Sequence, residues 1–272
     1  MNKKFTSRRI AIIVLQCLMI ILTVTVVGGA VMAHDEFKAT ATKPDTSQTE
    51  SVSENVGEDK TSPTTVPPVA VSDYKYSYAG FSPKVITPSI NLASILLNTE
   101  YILPDGYTPT LAELSDGTGI MADYRVVPYF RAMCDAAKRD GITLVPISGY
   151  VSISEQENEF DSYVSNAVDK GKDKKSVAQE AAKTILLPGA DEHNAGLAVD
   201  ICSKAESFED TDEFAWLSEH CADYGFILRY PKDEDTVALT GVEYKPWHYR
   251  YVGVDAAKDI KQKGITLEEY LR

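Results

Sequence analysis

"PGADEHNAGLAVDI" (Pro188–Ile201) places a histidine, a glycine and an aspartate where a polar loop gives way to an apolar run. Its second half, "GLAVDIC", reads as a short apolar strand, and Gly196 permits a turn between loop and strand. His193 and Asp200 therefore lie on either side of that turn. The chain has four histidines. His34 falls in a polar N-terminal stretch and His220 on the polar side of a helical pattern, which leaves His248, in "GVEYKPWHYRYVG" (Gly241–Gly253), as the companion of His193. Two imidazoles and one carboxylate are a common ligand set for catalytic zinc, with one coordination position left for water. Spacing alone admits a second use, in which His193 caps a loop and His248 is a satisfied core histidine beside Trp247.

Around this segment the chain alternates helical and strand patterns. In "YRVVPYFRAMCDAAKRDG" (residues 124–141) Val127, Phe130, Met133 and Cys134 recur at helical spacing, and Gly141 follows a basic last turn. "ITLVPISGY" supplies β-branched residues for a strand, and Ser152 with Gln156 opens a second helix that runs past Tyr163. "DKGKDKKSVAQEAAKT" is expected to be a solvated loop leading into a helix. "DEFAWLSEHCADYGF" has helical apolar spacing at Phe214, Leu217 and Cys221 before Gly225. "FILRYP" and "YKPWHYRYVG" are β-rich and aromatic, as neighbouring antiparallel strands would be, and "TLEEYLR" closes the chain as a short helix. "LNTEYILPDGYTPTLAEL" (residues 97–114), punctuated by Pro104, Gly106 and Pro109, is expected to wrap over the surface in extended form. Without strict βαβ alternation, the pattern predicts an α+β domain over residues 73–272.

The N-terminal part differs in composition. Lys3, Lys4, Arg8 and Arg9 precede an uncharged apolar run from Ile10 to Ala33, and about 20 such residues span a bilayer. Residues 1–33 thus read as a basic end and an uncleaved anchor, with a long signal peptide cleaved near Val31-Met32-Ala33 as the alternative. In either case the positive-inside rule keeps the basic end in the cytoplasm and exports the chain from His34 onward. Residues 34–72, rich in Ser, Thr, Pro and acids, read as a disordered linker with a root-mean-square span of about 35 Å. Of the 272 residues, 40 are acidic and 27 are Lys or Arg, for a net charge of −13. That balance argues against nucleic acid as a partner. Cys134, Cys202 and Cys221 are an odd set in the exported part, so one internal disulfide at most can form.

Four separated segments, "SGYVSISEQ", "PGADEHNAGLAVDI", "WLSEHCADYGFILRYP" and "TGVEYKPWHYRYVG", resemble the ordered motifs of the VanY-like D-alanyl-D-alanine carboxypeptidases. The resemblance covers roughly residues 98–272. It implies a small α+β fold with a central antiparallel sheet flanked by helices, shared with hedgehog-type proteins. It also implies zinc held by His193, Asp200 and His248, and a peptidoglycan stem peptide as the partner, trimmed of its terminal D-alanine. Tyr150, Gln156, Asp191 and Trp247 fall at positions suited to lining the peptide cleft, with core and sheet packing as the other use of Tyr150 and Trp247, as of Tyr249 and Tyr251.

Three positions depart from the family pattern. Lys245 stands where the family has the glutamate assigned as general base, Val151 where it has an arginine, and Asp191 where it has a serine. An ammonium donates hydrogen bonds and cannot accept a proton. Glu243 is a weak substitute base, because two residues along a regular strand displace it by about 6.8 Å. Glu192 and Asp191 are further candidates, and Arg229 or Arg250, otherwise structural, is available to hold a peptide carboxylate. Two functions stay open: a zinc carboxypeptidase with an altered base, or a zinc-retaining protein that binds or senses wall peptides without cleaving them.

Overall fold

The computed structural model describes residues 69–70 and 73–272. The apolar run, its basic leader and nearly all of the linker lie outside the described residues. Val69–Ala70, assigned to the linker by composition, form β1 and pair antiparallel with β2, Lys84–Val85. β2 runs parallel to β3, Tyr101–Ile102. β4, Leu111–Glu113, and β5, Met121–Asp123, form an antiparallel pair.

The central sheet has four strands: β6 (Pro146–Ser148), β7 (Ala198–Ile201), β8 (Phe226–Leu228) and β9 (His248–Tyr251). Their order is β6-β7-β9-β8 and every pairing is antiparallel. This matches the expected architecture. Register matters most between β7 and β9, where Asp200 lies directly opposite His248. Side chains opposed in an antiparallel pair share one face, so the sheet alone brings two candidate ligands together.

Helices cover the sheet for reasons visible in their residues. In Val127–Arg139, Pro128 occupies the first turn, where its missing N–H costs nothing. Its buried face is Val127, Phe130, Met133, Ala136 and Ala137, with the Phe130 ring edge-on to Phe226. Burying each large apolar side chain of this kind contributes about 1.5–3 kcal/mol. The second helix, Ile153–Val168, starts at Ser152 as expected, but its capping box pairs Ser152 with Glu155. Gln156 instead points inward. Phe160 and Val164 pack against Val177, Ala178, Ala181 and Ala182 of the helix Lys174–Thr184, forming a smaller core of their own.

The stretch 97–114 corrects its expected placement. Leu97, Leu103 and Leu114 are fully buried in the main core. Pro104, Gly106 and Pro109 break regular structure without keeping the intervening leucines at the surface. Among the described residues Cys134, Cys202 and Cys221 are free thiols.

Candidate metal centre

His193, Asp200 and His248 converge, each offering one ligand atom with all three within 4.8 Å of one another. His193 Nε2 lies 3.1 Å and His248 Nδ1 3.2 Å from the same Asp200 oxygen, Oδ1. The imidazole rings stand perpendicular at 4.9 Å between centroids. All three side chains are buried.

The outer nitrogens show which tautomers the fold selects. His193 Nδ1 is 2.6 Å from the Gly149 carbonyl oxygen, which can only accept, so Nδ1 carries a proton and Nε2 is the nitrogen available to a metal. His248 Nε2 is 3.3 Å from Glu192 Oε2 and donates to that carboxylate, which frees Nδ1. Each ring thus turns toward Asp200 the nitrogen that its outer partner leaves for a metal, in His193 once the proton shared with Asp200 is displaced. Imidazole ligands to a metal are held in this way, whereas a satisfied core histidine needs no such convergence. The donor set, two nitrogens and a carboxylate, suits zinc with a position left open.

The loop that delivers His193 is braced throughout. Asp191 Oδ1 accepts from the His193 backbone N–H at 2.9 Å, an Asx turn of the kind a serine would also support. Asn194 Oδ1 accepts from Gly189 N–H at 3.0 Å, and its Nδ2 donates to Val151 O at 2.9 Å. Val151 N–H donates to His193 O at 3.3 Å. Gly196 has φ 68°, and a Cβ there would sit 2.7 Å from Asp123 N. Only glycine turns the chain into β7 so close to β5. Gly149, whose carbonyl orients His193, is packed tighter still: a Cβ would meet Met121 O at 2.2 Å.

Behind His248 lies a buried ionic cluster. Arg229 Nε donates to Glu192 Oε1 at 2.8 Å, and Arg250 Nη1 approaches the same oxygen at 2.9 Å as an ion pair. Burial opposes ionisation of Glu192, yet Arg250 and Arg229 outweigh it and hold the carboxyl well below the ordinary carboxylate range. For His193, burial works against the charged form, and Asp200 with Asp191 more than offset it, raising its pKa to about 9.

The remaining expected site residues divide. Lys245 Nζ donates to Thr184 O at 2.7 Å and lies 5.7 Å from the Tyr230 ring centre, and that ring packs 4.9 Å from His248. Burial lowers its pKa, while Asp191 and Asp200 act to raise it. Glu243 is exposed on an irregular loop, because β9 begins only at His248. The strand that would have put it on the face of Lys245 does not exist. Glu192 stands on the far side of His248 from Asp200. Arg229 and Arg250 are buried and committed to Glu192, Glu268 and backbone carbonyls, so neither is free to hold a peptide carboxylate. Gln156 Nε2 donates to the carbonyls of Ile185 and Leu186, securing the chain just ahead of the His193 loop. Tyr150 and Trp247 are half-buried beside the strands that carry the ligands, and Trp247 packs on the main core.

One neighbour was not anticipated. Lys204, more than half exposed, reaches Asp200 Oδ2 at 2.9 Å. The four-residue spacing of Asp200 and Lys204 was its only signal, and on a strand end that spacing carries no expectation of contact.

Comparison with known proteins agrees with this architecture. Residues 120–254 match the VanY family of D-alanyl-D-alanine carboxypeptidases. A D-alanyl-D-alanine carboxypeptidase of Enterococcus faecalis (strain ATCC 700802 / V583) is 39% identical over 177 residues, covering 65% of each chain. The chain thus spans just under two thirds of that relative. Among solved structures, a vancomycin-resistance D,D-pentapeptidase VanY variant in complex with Zn(II) is 38% identical, with a TM-score of 0.57. That match covers 66% of this chain and 99% of the other. VanYB in complex with D-alanine-D-alanine is 39% identical, covering 66% and 97%, also with a TM-score of 0.57. This chain belongs to the VanY-like D-alanyl-D-alanine carboxypeptidase family.

Proposed function

We propose that this protein binds zinc and the D-alanine end of a peptidoglycan stem peptide, and that it holds such peptides without cleaving them efficiently. Zinc would be held by His193 Nε2, Asp200 and His248 Nδ1. When bound, it supplies Lewis acidity toward a carbonyl oxygen or water. Gly149 and Glu192 fix the two imidazole tautomers, and the half-buried Tyr150 and Trp247 offer apolar surface for the peptide. The basic leader and apolar run of residues 1–33 support a place at the membrane with the domain outside, where wall peptides are found.

The observation that carries the non-cleaving reading is Lys245, whose Nζ donates to Thr184 O at 2.7 Å. Hydrolysis needs a group that takes a proton from water. Lys245 in its charged form donates only, Glu243 is on an exposed loop, and Glu192 is enclosed by guanidinium groups. A second reading, slow D,D-carboxypeptidase activity, is favoured by Asp191, which is buried next to His193 and uses only Oδ1 in its turn.

The experiment is peptide binding and D-alanine release by the zinc-loaded full chain, compared with Lys245→Glu. Binding without release by the natural chain, and release gained on Lys245→Glu, is the expected result. Release by the natural chain that disappears in Asp191→Asn would establish the second reading.

A further inference from the structure

The buried charges behind the metal centre extend to the C-terminal helix, Leu267–Tyr270. Thr266 and Glu269 form its capping box, while Leu267 and Glu268 face inward. Glu268 is 6% exposed, which a four-residue surface helix does not require. A buried carboxylate is strongly destabilising unless paired, and its partner is Arg229. Arg229 Nη1 and Nη2 donate to the two Glu268 oxygens at 2.9 and 2.6 Å. With that edge of the guanidinium occupied, only Nε is directed at Glu192, at 2.8 Å from Oε1. Oε2 is thereby left for His248 Nε2, at 3.3 Å.

Resting on the zinc reading above, we infer that Glu268 is a positioning residue for the metal centre, acting through Arg229 and Glu192 on His248. A guanidinium freed from Glu268 can turn a two-nitrogen edge to Glu192 and take both oxygens. His248 then loses the acceptor that fixes its tautomer and raises its basicity toward metal. The last turn of the chain, far from the ligands in sequence, sets how tightly they bind.

The test is zinc affinity of the full chain by competition with a chromogenic chelator, for the natural sequence, E268Q, E192Q and the double variant. Loss of a partner behind a ligand typically weakens metal binding about 10–100-fold. E192Q is expected in that range and E268Q near its lower end, about tenfold. The double variant should bind no more weakly than E192Q alone, because Glu268 acts through Glu192. E268D keeps the charge and should recover part of the loss, and E268M, which removes it, replaces E268Q in the same cycle if E268Q does not fold. Unchanged zinc affinity in the folded Glu268 variant would overturn the inference, as would its full effect persisting in the E192Q background. Zinc binding without peptide binding would refute the proposed function and leave this inference standing. No zinc binding by the natural chain would refute both.

Discussion

Arg250→Met removes the largest fully buried side chain among the described residues. The guanidinium makes an ion pair with Glu192 at 2.9 Å and donates to the carbonyls of Tyr251, Leu92 and Ile95 at 2.8, 3.0 and 2.8 Å. Breaking a buried ion pair from one side typically costs about 3–5 kcal/mol, because the remaining charge is left uncompensated. Glu192 keeps Arg229, which favours the lower part of that range. Three carbonyls lose a donor, at up to about 1–3 kcal/mol for each one left unsatisfied, and the methionine recovers some apolar burial. A net loss of about 4 kcal/mol follows. For a domain of roughly 200 residues this lowers Tm by about 8–16 °C, at about 2–4 °C per kcal/mol. Lys263→Met is the control, since Lys263 pairs with Asp259 at 3.0 Å in an exposed position and should cost under about 1 kcal/mol. Urea unfolding of both variants gives the comparison. A loss below about 1 kcal/mol for Arg250→Met, or one equal to the control, would refute the view that this cluster is a strongly coupled interior element.

Other perturbations have equally definite outcomes. Gly149→Ala must displace Met121 O, 2.2 Å from the new Cβ, and with it the carbonyl that orients His193. Both stability, by about 2 kcal/mol or more, and zinc affinity should fall, and a variant of unchanged affinity would dissociate that carbonyl from the site. Because the metal-free His193 is raised to about 9, zinc must displace a proton from it at neutral pH. Affinity measured by chelator competition should therefore rise by up to about tenfold per pH unit and level off near pH 9. The corresponding stabilisation of the metal-free fold is fully present below the ordinary value of 6.5 and lost as pH climbs through about 9. Glu192 has the opposite sign. Its folded pKa is depressed, so its contribution is present above 4.5 and lost as acid protonates the folded state. Glu192→Gln should flatten the acid limb of a stability profile, and an unaltered limb would contradict the assignment.

How much of this was legible in the sequence depended on the range of the interactions. The helix over 127–139 was readable because Val127, Phe130 and Met133 repeat with the period of the helix itself. The pairing of "FILRYP" with "YKPWHYRYVG" followed from two β-rich segments, and His193, Asp200 and His248 stood out because histidine is scarce in the chain. Register was not readable. That Asp200 faces His248 depends on strands 48 residues apart, and that Glu243 falls off the strand depends on where β9 starts. Arg229, Arg250, Glu192 and Glu268 lack any local spacing that announces a buried network, since each comes from a different element. The leucines at 97, 103 and 114 were misplaced because proline and glycine report on backbone regularity and say nothing about burial.

The central claim is that an intact ligand set here operates without a proton acceptor. It is tested most directly by measuring D-alanine release from a D-Ala-D-Ala-ended peptide by the zinc-loaded chain, with His248→Ala in parallel and peptide binding followed on the same samples. The prediction is saturable binding by the natural chain with release no faster than in His248→Ala. Sustained release by the natural chain that is abolished in His248→Ala would contradict it.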